Sequence, residues 1–236
     1  MPQREELFAF QSPVVYSKPL ESPYYILVEG KDDAVFLEQF IPYKHREETL
    51  FIDLNGKDNL PKKISLLQTL WQTQQTRIRG MAFFLDADDH GMESRLQAMV
   101  HPFFGNPATP EATFHTHREA VTLQAPTELG QWTISRTGHR FGCYCLPNNH
   151  DDGEMEDLLL HAAMCDDRKR IVEGFIEQLK TELGIEKKLS KRMIHALLLT
   201  SPNKFAEELQ FYDRSFWSFK RTAFKPLQSF LVDFYK

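Results

Sequence analysis

Two stretches decide the reading of this chain: residues 24–33, YYILVEGKDD, and residues 81–91, MAFFLDADDHG. Each opens on an uninterrupted apolar, β-prone run and ends in acid. A run without polar alternation suits a strand buried on both faces, as in a parallel sheet. The first run stops at Glu29-Gly30, and the second at Asp86-Ala87-Asp88-Asp89. After the first, Asp32 or Asp33 can cap a helix that carries Val35, Phe36, Leu37 and Phe40 at helical spacing, with Pro42 closing it.

Between them, residues 50–54 (LFIDL) read as another short strand, ended by Asn55-Gly56. Residues 60–75 read as a helix with Pro61 in its first turn, and a further helix begins near Met92. Strand and helix thus alternate three times, which predicts an α/β unit with a mostly parallel sheet. Residues 102–110 are loop-like. Beyond them, 120–123, 131–135 and 141–146 are β-prone, and helices are expected over 154–164, 168–183, 188–200, 202–211 and 224–234. The division that follows is an irregular, proline-bearing arm over 1–22 and an α/β domain over 23–165. That domain carries a β-prone insertion at about 102–140, and a helical C-terminal region covers 166–236.

Composition sets the outer bounds. The chain has 236 residues, 42% hydrophobic and 26% charged, enough of each for a core and a solvated surface. Its apolar runs are too short to span a bilayer, and the first residues hold no apolar signal core, so the expectation is a cytoplasmic protein without a membrane partner. Three cysteines do not make a disulfide framework. A net charge of −5 excludes a uniformly basic nucleic-acid coat. The charge is uneven: residues 166–236 hold 14 Lys and Arg against 10 Asp and Glu, which leaves −9 on the first 165 residues. That split fits a carboxylate-rich centre in front and phosphate contacts behind, although random segregation over a solvated surface gives the same numbers.

In open α/β sheets the ligand crevice lies beyond the carboxyl ends of the strands. If the strands ending at Glu29 and Asp86 are neighbours, Glu29, Asp86 and Asp88 converge there. Crowded carboxylates repel, and a divalent cation is the usual remedy. Oxygen donors without cysteine favour Mg²⁺ or Mn²⁺. An isolated acid after a strand is ordinarily a turn residue or cap, which is the reading preferred for Asp32 and Asp89.

ILVEGKDD followed by FFLDADDHG resembles the TOPRIM domain shared by topoisomerases, primases, recombination proteins and OLD-family nucleases. Glu29-Gly30 matches that family's first motif, Asp86-x-Asp88 with Gly91 its second, and Asp33 an acid common in the first. Residues 153–160 (GEMEDLLL) are similar to a segment of small stand-alone TOPRIM proteins near the OLD group. The resemblance implies a Rossmann-like TOPRIM core and phosphoryl transfer on nucleic acid, DNA ahead of RNA, in repair or in defence against foreign DNA. It implies Mg²⁺ or Mn²⁺ held by Asp86 and Asp88, with Glu29 as ligand or proton-handling group and Asp33 at the same site. Glu156 is the first choice for a further ligand and Asp157 the second. The same acids also suit the first turn of a helix capped by Asp151 or Asp152. No G-x-x-x-x-G-K-[ST] occurs, so any ATPase would be a separate partner. The rivals to a nuclease are a non-catalytic nucleic-acid or protein-binding module working with such an ATPase, and a small ribonuclease that processes structured RNA.

Substrate contacts are sought among Lys31, beside the first motif, and the basic groups 168–170, 187–192 and Lys220-Arg221. The last pair lies among Phe216, Trp217, Phe219 and Phe224, where base stacking competes with the preferred reading of these rings as core. Cys143-x-Cys145 puts two thiols on one strand face. Its spacing matches no zinc module, so buried small hydrophobes are expected.

Overall fold

The computed structural model describes residues 8–9, 22–54, 56, 63, 78–87, 92–104, 111–115, 120–164, 166–200 and 217–236. Its centre is a six-stranded sheet in the order β1-β3-β2-β4-β8-β7. The strands are β1 (Phe8–Ala9), β2 (Tyr24–Val28), β3 (Thr49–Asp53), β4 (Gly80–Asp86), β7 (Trp132–Ile134) and β8 (Arg140–Leu146). All neighbours pair parallel except β7, which runs antiparallel to β8 at the edge. A separate antiparallel hairpin joins β5 (Glu111–His115) to β6 (Ala120–Gln124). The class expected from the strand and helix alternation, α/β with a mostly parallel sheet, is the one observed.

The apolar runs of β2, β4 and β8 are uninterrupted because both faces of each strand are covered. On one face, Ile26, Val28, Ala82, Phe84 and Tyr144 meet α1 (Lys31–Glu38), α3 (Met155–Ala162) and α6 (Lys225–Phe234). The same core takes in Val172 and Ile176 of α4 (Asp166–Leu183) and Ile194, Leu197 and Leu198 of α5 (Leu189–Leu199). The opposite face, with Tyr25, Leu27, Met81, Phe83, Phe141, Cys143 and Cys145, packs on Val100 and Phe104 of α2 (Met92–Phe104) and on Val121 and Leu123 of the hairpin. Both strand cysteines are fully buried, as expected of small core hydrophobes, and burial pushes the Cys143 thiol up.

Several sequence expectations need correcting. Within the arm, Phe8–Ala9 forms a strand on β3. β7, inside the expected insertion, is part of the main sheet because its Trp132 lies against α6. The indole stacks on Phe230 at 4.2 Å and Phe234 at 5.0 Å, and its N–H donates to the Phe230 carbonyl at 3.2 Å. The first helix is capped at Gly30 and not at an aspartate, and α3 is capped at Glu154 and not at Asp151 or Asp152. The helix expected over 60–75 lies outside the described residues except for Lys63, and the one over 202–211 lies wholly outside them. Among the described residues, no helix is long and apolar enough to cross a membrane.

Gly142, opposite Trp132 on β8, makes the aromatic stack possible. A Cβ there would stand 2.7 Å from the indole and 2.9 Å from the Phe230 ring, closer than real contacts allow. Gly142→Ala should therefore lower stability by about 1–3 kcal/mol through overpacking. Urea unfolding followed by tryptophan fluorescence measures this, and an unchanged midpoint would show that the stack can shift freely.

Candidate metal centre

From β2 the chain places β3 on one side of that strand and β4 on the other. The strand order therefore reverses between β2 and β4, and at their carboxyl ends such a reversal opens a crevice. Glu29 leaves β2 and Asp86 ends β4 at this point. Val28 pairs with Phe84, which brings the two acids side by side. Glu29 Oε1 accepts the Asp86 backbone N–H at 3.1 Å, so one acid's side chain is tied to the other's main chain.

Two helices bring further acids. Asp33, buried in the first turn of α1, accepts the Gly30 N–H on Oδ2 at 2.9 Å. Asp86 Oδ1 accepts the N–H of Met155, the first residue of α3, at 3.0 Å. A carboxylate at a helix N-terminus is favoured by the exposed N–H groups and the dipole. This bond anchors α3 over β4, and Glu156, the next residue, is buried as well. The Lys191 ammonium of α5 stands 3.6 Å from Glu156 Oε1.

The electrostatics register the crowding. Burial, reinforced by the charges of Glu29, Glu156 and Asp32, holds the Asp33 carboxyl up at about 7, despite the Gly30 hydrogen bond. Burial and then the charges of Asp33, Glu29 and Glu156 push the Asp86 carboxyl well above the ordinary range, with the Met155 N–H opposing. The charges of Glu29 and Glu156 thus bear on both Asp33 and Asp86. Each of Glu29, Asp33 and Asp86 has turned an oxygen to a backbone N–H, and Glu156 faces Lys191. As they stand, no three His, Cys, Asp or Glu side chains among the described residues are arranged to hold a metal ion.

The other sequence candidates fall elsewhere. Asp88, with Asp89, His90 and Gly91, lies outside the described residues. Asp157 accepts the Glu154 N–H at 2.8 Å and the Ser190 hydroxyl, so it caps α3 and ties it to α5. Lys31 is exposed at the start of α1, and Lys220 and Arg221 are exposed in the turn before α6. Trp217 and Phe224 are fully buried, with the Trp217 indole donating to the Leu159 carbonyl at 2.8 Å. Phe219 lies against Phe40 and Phe224, and Phe216 is outside the described residues.

Two buried cations at the same sheet edge carried no sequence signal. The Lys63 ammonium donates to the carbonyl of Asp53, the last residue of β3, at 2.8 Å, and its burial lowers its pKa. Arg95 of α2 donates from Nε to the carbonyl of Ala87, just past Asp86, at 3.0 Å. Both fix main chain where β3 and β4 end. Lys191 belonged to a basic group expected to contact phosphate. No spacing in the sequence pairs it with an acid some 35 positions earlier.

The raised acids set a pH dependence. A carboxyl whose folded pKa exceeds its unfolded value of about 4 holds its proton longer in the folded state. Its stabilising contribution is complete below about pH 4 and is lost as pH rises through the folded value, about 7 for Asp33. In metal-free buffer the melting temperature should therefore fall between pH 5 and 8. Asp33→Asn keeps an oxygen for Gly30 and removes the titration, so its fall should be shallower. Parallel curves for the two proteins would show that Asp33 is an ordinary surface acid.

A family model described as "Protein of unknown function (DUF3226)" matches residues 23–236. No curated protein and no solved structure matches the chain.

Proposed function

The chain belongs to the DUF3226 family, and we propose that it is a Mg²⁺- or Mn²⁺-dependent nuclease of the TOPRIM type, cleaving phosphodiester bonds in nucleic acid. The observation that carries this reading is the gathering of Glu29, Asp33, Asp86 and Glu156 at the strand-order reversal, close enough that the charges of Glu29 and Glu156 help raise the Asp33 and Asp86 carboxyls. A folding core gains nothing from crowding buried acids. Such a group costs stability unless protons or a cation neutralise it.

The donor set suits a hard divalent cation: it is all oxygen, with both core cysteines on a buried strand. Asp86 and Glu156 would hold the ion, with Glu29 and Asp33 beside them and Asp88 as the further ligand implied by the D-x-D motif. When bound, the ion neutralises charge growing on the phosphate and lowers the pKa of bound water. The chain's own residues do the rest. Glu29, set among other carboxylates, is placed to take the proton of the attacking water as oxygen bonds to phosphorus and the P–O bond to the leaving oxygen breaks. The Met155 N–H and the Asp86 N–H hold Asp86 and Glu29 in place. Lys31, exposed one residue past Gly30, faces solvent where a phosphate backbone would approach.

The test uses single- and double-stranded DNA and RNA with Mg²⁺ or Mn²⁺, comparing wild type with Glu29→Gln and Asp86→Asn. Both substitutions retain the acceptor oxygen, so the fold should survive. Each should lower cleavage at least ~100-fold, and Mg²⁺ should raise the melting temperature of wild type more than of either variant. Equal cleavage by all three would indicate a contaminant and contradict the proposal. Binding without cleavage, unaffected by either substitution, would identify instead a non-catalytic module that works with a separate ATPase.

A further inference from the structure

We propose that nucleic acid lies against the opening turn of α5, where Lys187, Lys188 and Arg192 take its phosphate backbone. The inference rests on the proposed nuclease reading for the identity of this partner. The buried acids repel a phosphate backbone, so the grip has to come from cations placed beside them. Three basic groups are available, 168–170, 187–192 and Lys220-Arg221. Of these three, the fold puts the second at the acid end and the other two away from it.

α1 and α3 both begin at the acids and run away from them. The Lys220-Arg221 turn follows a segment held at their far ends. Trp217 bridges to Ala163, just past α3, and the Phe219 ring is centred 5.4 Å from that of Phe40, just past α1. The 168–170 group is at the far end of α3 as well, since Lys169 donates to the Leu160 carbonyl at 3.1 Å. Its cations are also engaged, Lys169 with Glu173 and Arg170 with Asp167, each at 3.9 Å. α4 then covers 18 residues, about 27 Å of helix, before the chain turns back into α5. There the Ser190 hydroxyl donates to Asp157 and the Lys191 ammonium stands 3.6 Å from Glu156, so α5 opens beside the start of α3. Lys187, Lys188 and Arg192 flank this junction. All three are exposed, and none is in an ion pair among the described residues. Residues 187–200 hold four Lys and Arg and no Asp or Glu, so the positive charge is not offset along the helix. The same stretch has no Phe, Tyr or Trp. The contacts are therefore to phosphates, without base stacking, and binding is insensitive to sequence and steeply dependent on salt.

Fluorescence anisotropy of the full chain with short labelled duplex DNA, single-stranded DNA and RNA tests this, in EDTA and in Ca²⁺, over about 50–200 mM salt. Wild type should bind at the low-salt end. The double variant Lys187→Gln with Lys188→Gln should bind at least about tenfold more weakly there, and its plot of log affinity against log salt should be shallower by about two. Lys220→Gln with Arg221→Gln should match wild type. Melting temperatures should be unchanged, because the altered side chains are exposed. A wild type that binds none of the probes would overturn the proposal, as would a Lys187/Lys188 variant with the wild-type affinity and salt slope. An equal loss in the Lys220/Arg221 variant would do the same. Cleavage assays with Mg²⁺ on the same proteins separate the two readings. Cleavage by wild type alongside unaltered binding by the Lys187/Lys188 variant sinks this surface and leaves the nuclease. Binding lost in that variant, with no cleavage by wild type, sinks the nuclease and leaves the surface.

Discussion

Four carboxylates at the carboxyl ends of two adjacent parallel strands cannot all carry their charge without help. Glu29 and Asp86 are brought together by the pairing of β2 with β4, which the apolar runs of those strands enforce from both faces. Asp33 and Glu156 come from the first turns of the two helices that cover one face at that end. The packing that buries Ile26, Val28 and Phe84 is therefore the packing that crowds the acids. A cost in electrostatics is built into an otherwise apolar arrangement, and a ligand that removes the cost would be bound by the same geometry.

The backbone contacts hold Glu29, Asp33 and Asp86 in position without neutralising them. Backbone N–H groups of Gly30, Asp86 and Met155 each meet one carboxylate oxygen, and such bonds favour the charged form. They are outweighed at Asp33 and Asp86 by burial and mutual repulsion. Lys63 and Arg95 each donate to a backbone carbonyl beside the group. Lys191 faces Glu156 and joins the helical back third of the chain to the acids of the sheet.

Much of this was legible in the sequence, for definite reasons. A strand covered on both faces writes itself as an unbroken apolar run, which is why β2, β4 and β8 could be located and an α/β sheet expected. Glu29 and Asp86 follow those runs directly, so one assumption of adjacency brought them together. Glu156 and Asp33 needed the added resemblance to TOPRIM motifs. What escaped depends on distant partners. β7 joins the main sheet through Trp132 and a helix almost one hundred residues later. The two-residue β1 is too short to leave a pattern. Lys63, Arg95 and Lys191 look like any solvated cation until the fold places them.

The proposed chemistry needs a divalent ion at the carboxyl ends of β2 and β4. Anomalous diffraction from crystals soaked in Mn²⁺ locates such an ion directly. A peak beside Glu29 and within ligand distance of Asp86 is expected, and it should disappear in Asp86→Asn. Peaks confined to other surfaces, with a lysine or arginine side chain lying between Glu29 and Asp86, would contradict it.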